Sequence, residues 1–426
     1  MAKEVSVDIL SINAEGSGVG VVEGRPISIP GAFPGEKVTV QVKRKKGDDG
    51  YQGELRSIEV PLSDRIPPQE SHFFSSCPWQ VIPYEREVEY KQTMYRDMFA
   101  EYSSFGLNVC KADTRFGYRT KMEYCVTDRE VPLSLAFHKR GGGAFRIPAP
   151  YGSIMADKLM NAVATTIIER MRLAGYTSRM IKSIIVRGSK SKHEVFAMVY
   201  IKDEEYIPFS CDDIPHLSGL MIFYSTPKSP ASVATRELFH WGKETISDEI
   251  LGMEFSYAPD AFFQNNIPMF AHAVEEMRRW VNADDVVLEL YAGVGVIGML
   301  IAQQVKNVVG IEIIPSAVVS ANDNAKKLGI SNYVSHCTPS EKIDEELLNG
   351  ISVLVLDPPR AGLHPKLVSM IKERAPDRLV YLSCNPITQV RDIGMLADIY
   401  QPLWIGAFDF YPGTPHLESL VILKRK

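Results

Sequence analysis

Cysteine is scarce in this chain, with six in 426 residues, and none is spaced as a Cys-x-x-Cys pair. That excludes a disulfide scaffold and a zinc ribbon, and leaves Cys77, Cys110, Cys125, Cys211, Cys337 and Cys384 as free thiols, most of them expected as small core residues. Long apolar runs are also missing: nothing approaches the ~20 residues that cross a bilayer, and the opening Met1-Ala-Lys-Glu-Val5 has no apolar signal core. A cytoplasmic protein without a membrane partner is expected. Excess positive charge is absent too, with 47 Lys and Arg against 52 Asp and Glu and a net charge of −5. Any nucleic-acid contact must then come from local patches and not from the whole-molecule field. Internal repeats and low-complexity tracts do not occur. What remains, 45% hydrophobic and 23% charged residues, is globular material for two or three domains.

From Val5 to about Val60, short strand-like runs alternate with Gly16-Ser-Gly-Val-Gly20, Glu23-Gly24, Pro30-Gly31 and Pro34-Gly-Glu36, the pattern of a small β-barrel over residues 1–60. Its one basic run, Lys43-Arg-Lys-Lys46, precedes Gly47-Asp-Asp-Gly50 and is expected at a hairpin tip, where cations reach phosphates or are simply solvated. Pro61, Pro67 and Pro68 mark a linker, because proline withdraws backbone donors. Residues 70–258 mix expected helices (84–103 and 155–173) with strand-like runs at 122–126, 183–186 and 195–201, an α+β domain. From 259 to 426, strands at 286–290, 308–313, 353–356 and 379–383 alternate with helices, which implies a parallel, doubly wound α/β sheet. Runs 404–410 and 419–423 are expected to close it as an edge hairpin.

Leu288-Glu-Leu-Tyr-Ala-Gly-Val-Gly-Val-Ile-Gly298 is a glycine-rich strand-to-helix turn, followed at the next strand end by Glu312. The spacing satisfies a dinucleotide fingerprint, so a nicotinamide oxidoreductase is the first rival reading. Downstream lie Leu356-Asp-Pro-Pro-Arg360, Tyr381-Leu-Ser-Cys-Asn-Pro386 and Phe410-Tyr-Pro-Gly-Thr-Pro-His-Leu-Glu418. Cys384 falls at the carboxyl edge of a strand, where open α/β folds bind ligands, and just before a helix whose N-terminus is expected to lower the thiol pKa.

In this order the motifs resemble the RNA uracil-5-methyltransferase family. The resemblance implies a Rossmann-like methyltransferase domain, a central RNA-recognition domain, and an N-terminal OB-like TRAM domain. It implies S-adenosylmethionine as methyl donor, with Gln264, Tyr291, Glu312 and Asp357 lining its site. Cys384 would add to C6 of uracil, since C5 is too weak a nucleophile to take a methyl group unaided, and Glu418, at the family's His-x-Glu position, would remove the C5 proton. Asp357 stands where cytosine-5 enzymes carry a cysteine, which points to uracil. The implied partner is structured RNA, with 23S ribosomal RNA favoured by the TRAM domain and transfer RNA as the alternative; no obligate protein partner is evident. A non-catalytic RNA-binding protein with a vestigial site is the remaining rival. Relatives that hold an iron-sulfur cluster use four cysteines; here only Cys77 matches, and Pro68, Phe74 and Ala149 occupy the other positions. No cluster, and no other metal, is expected.

Overall fold

The computed structural model of the protein describes residues 4–44, 50–141, 145–229 and 232–426. The N-terminal unit is one six-stranded sheet, in the order Glu4–Asp8, Lys37–Arg44, Tyr51–Val60, Arg25–Ile29, Gly18–Val22, Ser11–Ile12. Alternate residues point inward, so Ile27 with Ile29 and Val38 with Val40 meet Val7 and Ile9 in a small core of its own. Lys37–Arg44 and Tyr51–Val60 pair antiparallel, as the hairpin reading requires. Its tip, with Lys45 and Lys46, lies outside the described residues; Lys43 pairs with Glu54 at 2.6 Å.

The middle of the chain is α+β. Its main sheet has seven strands among the described residues, in the order Arg146–Pro148, Ser134–His138, Lys121–Thr127, Ile181–Ser189, Glu194–Ile201, Leu217–Tyr224, Arg236–Gly242. Helix Lys158–Leu173 buries Met160, Val163, Ala164, Ile167, Ile168 and Met171 against this sheet, the spacing of one helical face. It starts later than the sequence pattern suggests because Asp157 caps it, accepting a hydrogen bond from the Leu159 amide.

The C-terminal sheet has five parallel strands, Tyr333–Cys337, Asn307–Glu312, Val286–Leu290, Val353–Leu356 and Arg378–Ser383, in that spatial order. Helices cover both faces, so Val353–Leu356 is buried at every position. Glu418–Arg425 then adds antiparallel to Arg378–Ser383, and Tyr400–Phe408 antiparallel to that. The expected edge hairpin is therefore not the edge. Val109–Cys110, from far earlier in the chain, pairs parallel with Tyr400–Phe408 and finishes the sheet. It is delivered by helix Tyr84–Met98, whose Tyr95 hydroxyl donates to the Gly406 carbonyl at 3.0 Å. Two residues are too short a strand to leave a periodic signal. The consequence is that Glu418 opens an interior strand and is buried. Of the six thiols, Cys77, Cys125 and Cys211 are core residues, whereas Cys110 and Cys337 are exposed, against the expectation that most would be buried.

Candidate active site

The glycine turn is shaped from below. Tyr291, Gly293 and Gly295 all take positive φ (63°, 55° and 76°), turning the chain sharply off strand Val286–Leu290 into helix Val296–Ala302. A Cβ on Gly295 would lie 2.3 Å from the Tyr333 hydroxyl, and one on Gly298 would lie 2.3 Å from Glu289 Oε2, so two of the three glycines make room for side chains packed beneath the turn. Above Gly293 the space is open. Burial pushes the Glu289 carboxyl up to about 8, and its Oε2 has no hydrogen-bond partner. Glu312 is engaged: Oε2 accepts from the Gly293 amide at 2.8 Å, and Oε1 from the amides of Ile313 and Ile314 at 2.8 and 2.9 Å.

A pocket over this turn brings together Gln264, Tyr291, Gly293 and Asp357, with Phe262 and Phe263 as apolar wall. Three of the four expected donor contacts thus converge. Glu312 does not line that pocket; three backbone amides already use most of its carboxylate's accepting capacity, so it fastens the turn to the neighbouring strand. Open space at the turn, the polar groups of Gln264, Tyr291 and Asp357 and an aromatic wall fit a molecule with one flat part and one polar end. S-adenosylmethionine has both.

Asp357, at the other end of that pocket, also belongs to the second part of the site. Strand Arg378–Ser383 pairs Ser383 with Ser419, which sets Cys384 and Glu418 one step further on at the sheet's carboxyl edge. The Arg360 carbonyl accepts from Asn385 Nδ2 at 2.9 Å and from Thr388 Oγ1 at 3.2 Å, locking the Asp357–Arg360 loop against the turn that carries Cys384. Burial raises Glu418 well above the usual carboxylate range, Asp357 adds to this, and the Tyr411 hydroxyl and Arg360 oppose it. Asp357 itself is pushed up to about 7 by burial. Cys384 is pushed up to about 11, by burial first and then by Glu418 and Asp357, with Arg360 pulling the other way. The expected lowering by the following helix is not the outcome: desolvation and two carboxyls outweigh the partial charge of a helix end. His416, though it keeps an exposed edge, is lowered to about 4 by partial desolvation and then by the cations Arg360, Lys91, Arg140 and Arg119, and stays neutral.

Several residues here left no sequence signal on which to act. Tyr411 donates to Glu418 Oε1 at 2.9 Å, and Glu418 Oε2 is left without a partner. Behind the loop that carries them, Lys91 is fully enclosed and donates to Glu87 Oε1 at 2.7 Å, Asp409 Oδ1 at 2.6 Å and the Tyr411 carbonyl at 3.2 Å. The Glu87-x-x-x-Lys91 spacing was the only hint, and it usually marks a solvated helix face. Cys77 lies behind the same loop, where a Cβ on Gly413 would come within 2.3 Å of its Sγ; burial and Glu87 push this thiol up to about 12. Cys77 and Ala149 share one apolar cluster, and Phe74 packs on Gly31 beneath the Arg140 guanidinium.

A doubly wound sheet with a glycine turn and a polar pocket at its carboxyl edge is a cofactor-binding architecture, and the family that its sequence matches is one of methyltransferases that use S-adenosylmethionine as donor. Residues 242–426 match the family model for tRNA (uracil-5-)-methyltransferase, and residues 2–50 match that of the TRAM domain. Similar proteins include RNA methyltransferases described as uncharacterised from Bacteroides thetaiotaomicron, 26% identical over 96% of this chain and 99% of the relative, and from Clostridium tetani, 27% identical over 100% and 98%. Among solved structures, the Pyrococcus abyssi tRNA (uracil-54, C5)-methyltransferase in complex with S-adenosyl-L-homocysteine aligns over 98% of this chain and 100% of its own, with a TM-score of 0.79 at 23% identity. Residues 242–426 thus carry the domain of the RNA uracil-5-methyltransferase family, and the relatives that match over the full length are RNA methyltransferases. The chain is an RNA (uracil-5-)-methyltransferase with an N-terminal TRAM domain.

Proposed function

We propose that the chain methylates C5 of one uridine class in structured RNA through a covalent adduct between Cys384 and C6. The observation that carries this reading is that Asp357 sits in the donor pocket and also within electrostatic reach of both Cys384 and Glu418, which joins donor and nucleophile into one site. When bound, S-adenosylmethionine supplies an electrophilic methyl group; Gln264, Tyr291 and Asp357 would hold it, with Glu312 fastening the turn beneath. Cys384 adds to C6, and the ring's electrons become available at C5. After C5 is methylated, the unpartnered Oε2 of Glu418 takes the C5 proton, the C5–C6 double bond re-forms, and the pair in the C6–S bond leaves with Cys384. The thiol proton lost on attack is regained on release, so each cycle frees the proton that left C5. Both faces of the ring edge must be reached, so the base leaves its stack first.

Residues 259–426 carry the chemistry in this reading, while 1–60 and 70–258 recognise RNA, with segment 84–110 built into the catalytic sheet. We assign 23S ribosomal RNA as the acceptor, on the strength of the N-terminal RNA-binding domain. Transfer RNA is the second reading, favoured by the end-to-end likeness to an enzyme whose name specifies tRNA. The chain acts where both RNAs reside, in the cytoplasm; among the described residues no helix is long and apolar enough to cross a membrane. Mapping 5-methyluridine in ribosomal and transfer RNA from a strain lacking this gene tests the assignment. Loss at a 23S position supports it, loss confined to tRNA replaces it, and loss from neither removes the reading.

A further inference from the structure

The loop between strands Tyr400–Phe408 and Glu418–Arg425 is held from outside at four consecutive carbonyls. Phe410 O accepts from Asn266 Nδ2 at 3.0 Å, Tyr411 O from Lys91 Nζ at 3.2 Å, Pro412 O from the Tyr118 hydroxyl at 3.1 Å, and Gly413 O from the Trp79 amide at 2.9 Å. The Gly413 amide donates to Glu87 Oε1 at 2.6 Å, and the Tyr84 hydroxyl to Asp409 Oδ2 at 2.9 Å. From a loop so fixed the Tyr411 hydroxyl reaches the site, where it meets Glu418 Oε1 at 2.9 Å and leaves Oε2 without a partner.

We propose that Tyr411 is a positioning residue for the general base, its hydroxyl holding one carboxylate oxygen of Glu418 so that the other faces the C5 proton and can be ionised there. The inference rests on the mechanism proposed above. Glu418 faces Asp357 and Arg360 from the loop after strand Val353–Leu356, Cys384 from the nucleophile turn, and Tyr411 and His416 from its own loop, with Lys91, Glu87 and Asp409 behind. Of these, Tyr411 and Arg360 are the groups that favour the charged carboxylate, and Tyr411 alone hydrogen-bonds it. Burial keeps the phenol protonated, so it remains a donor across the working pH range. Without that bond Oε1 too would be buried and unpaired, and ionisation of the base would need a higher pH.

The test is Tyr411→Phe, which keeps the ring, assayed with methyl-labelled S-adenosylmethionine and total RNA from a strain lacking the gene. Product release at pH 7 is expected to slow by about tenfold, the cost of losing a hydrogen bond to a charged group. The deficit should close as pH rises, an alkaline shift of the profile. On the same RNA carrying 5-fluorouridine, whose C5 bears no proton to remove, Tyr411→Phe should form the trapped adduct at the wild-type rate; a merely structural lesion would slow both. Tyr411→3-fluorotyrosine, a stronger donor, should move the profile in the acid direction and keeps the test open if Tyr411→Phe does not fold. A profile unchanged in either folded variant, or trapping slowed as much as release, overturns the proposal. Cys384→Ala separates the two levels: an adduct in that variant removes the mechanism itself, whereas an unchanged Tyr411→Phe profile beside an inert Cys384→Ala removes only the role of Tyr411.

Discussion

Replacing Glu418 by Gln separates the two halves of the reaction, because the residue acts after the methyl group has moved. The carboxyl is 5% exposed and accepts from Tyr411 through one oxygen, so a carboxamide of the same shape can keep that bond through its own Oε1 and place an amide nitrogen where Oε2 was. Attack by Cys384 and methylation at C5 should survive, whereas proton removal loses its base. A positioned general base contributes about 10²–10⁴-fold. Asp357, a second carboxyl in the same site and raised only to about 7, can serve in part, which puts the expected slowing near the lower end, about 10²-fold. Release then limits turnover, and an RNA adduct that withstands denaturant should accumulate, carrying labelled methyl and dependent on both S-adenosylmethionine and Cys384. A denaturing gel followed by nuclease digestion reads this directly. Normal turnover by Glu418→Gln would show that the base lies elsewhere, and an adduct formed in Glu418→Gln with Cys384→Ala would show the same of the nucleophile.

Lys91→Met leaves Asp409 buried without its cation and Glu87 with Arg115 alone, and should cost about 3–5 kcal/mol, read from urea unfolding; a loss under about 1 kcal/mol would mean the network is not what holds the loop. Glu289, raised in the folded state to about 8, keeps a proton there that the unfolded chain releases near its ordinary value, so its contribution to stability falls as pH rises from about 4.5 through 8. Glu289→Gln should therefore raise the thermal midpoint at pH 9, by an amount equivalent to roughly 3–5 kcal/mol at most, and change little at pH 5; an equal effect at both would refute it. Neutralising Lys43, Arg44, Lys45 and Lys46 together should flatten the log-log salt dependence of RNA binding by up to about 3 if all four meet single-stranded phosphates. Because the exposed Lys43 already pairs with the half-buried Glu54, a bond worth little in water, the full change requires that pair to open, and an unchanged slope would assign the run to solvation.

The alternation of strands and helices after residue 259, the glycine turn and the Cys384–Glu418 pair were legible in the chain because each is a local pattern: period, spacing, or a short run of unusual residues. Those patterns by themselves determined the fold class of each domain and the chemistry worth seeking. What they could not carry is anything that depends on residues distant in sequence meeting in a dry interior. Val109–Cys110 completes a sheet whose next strand lies some three hundred residues later, and two residues have no period to detect. Tyr411 gains its role only because Lys91, Asn266, Tyr118 and Trp79 converge on its loop from four separate elements. The charge state of the site was decided last. A helix start beside Cys384 suggests a lowered thiol pKa, but enclosure next to Glu418 and Asp357 raises it, since removing water from an ion costs more than a helix end returns. Glu312 illustrates the same limit: its position was readable, whereas the three amides that occupy it, from the turn and from its own strand end, exist only once strands Val286–Leu290 and Asn307–Glu312 lie side by side.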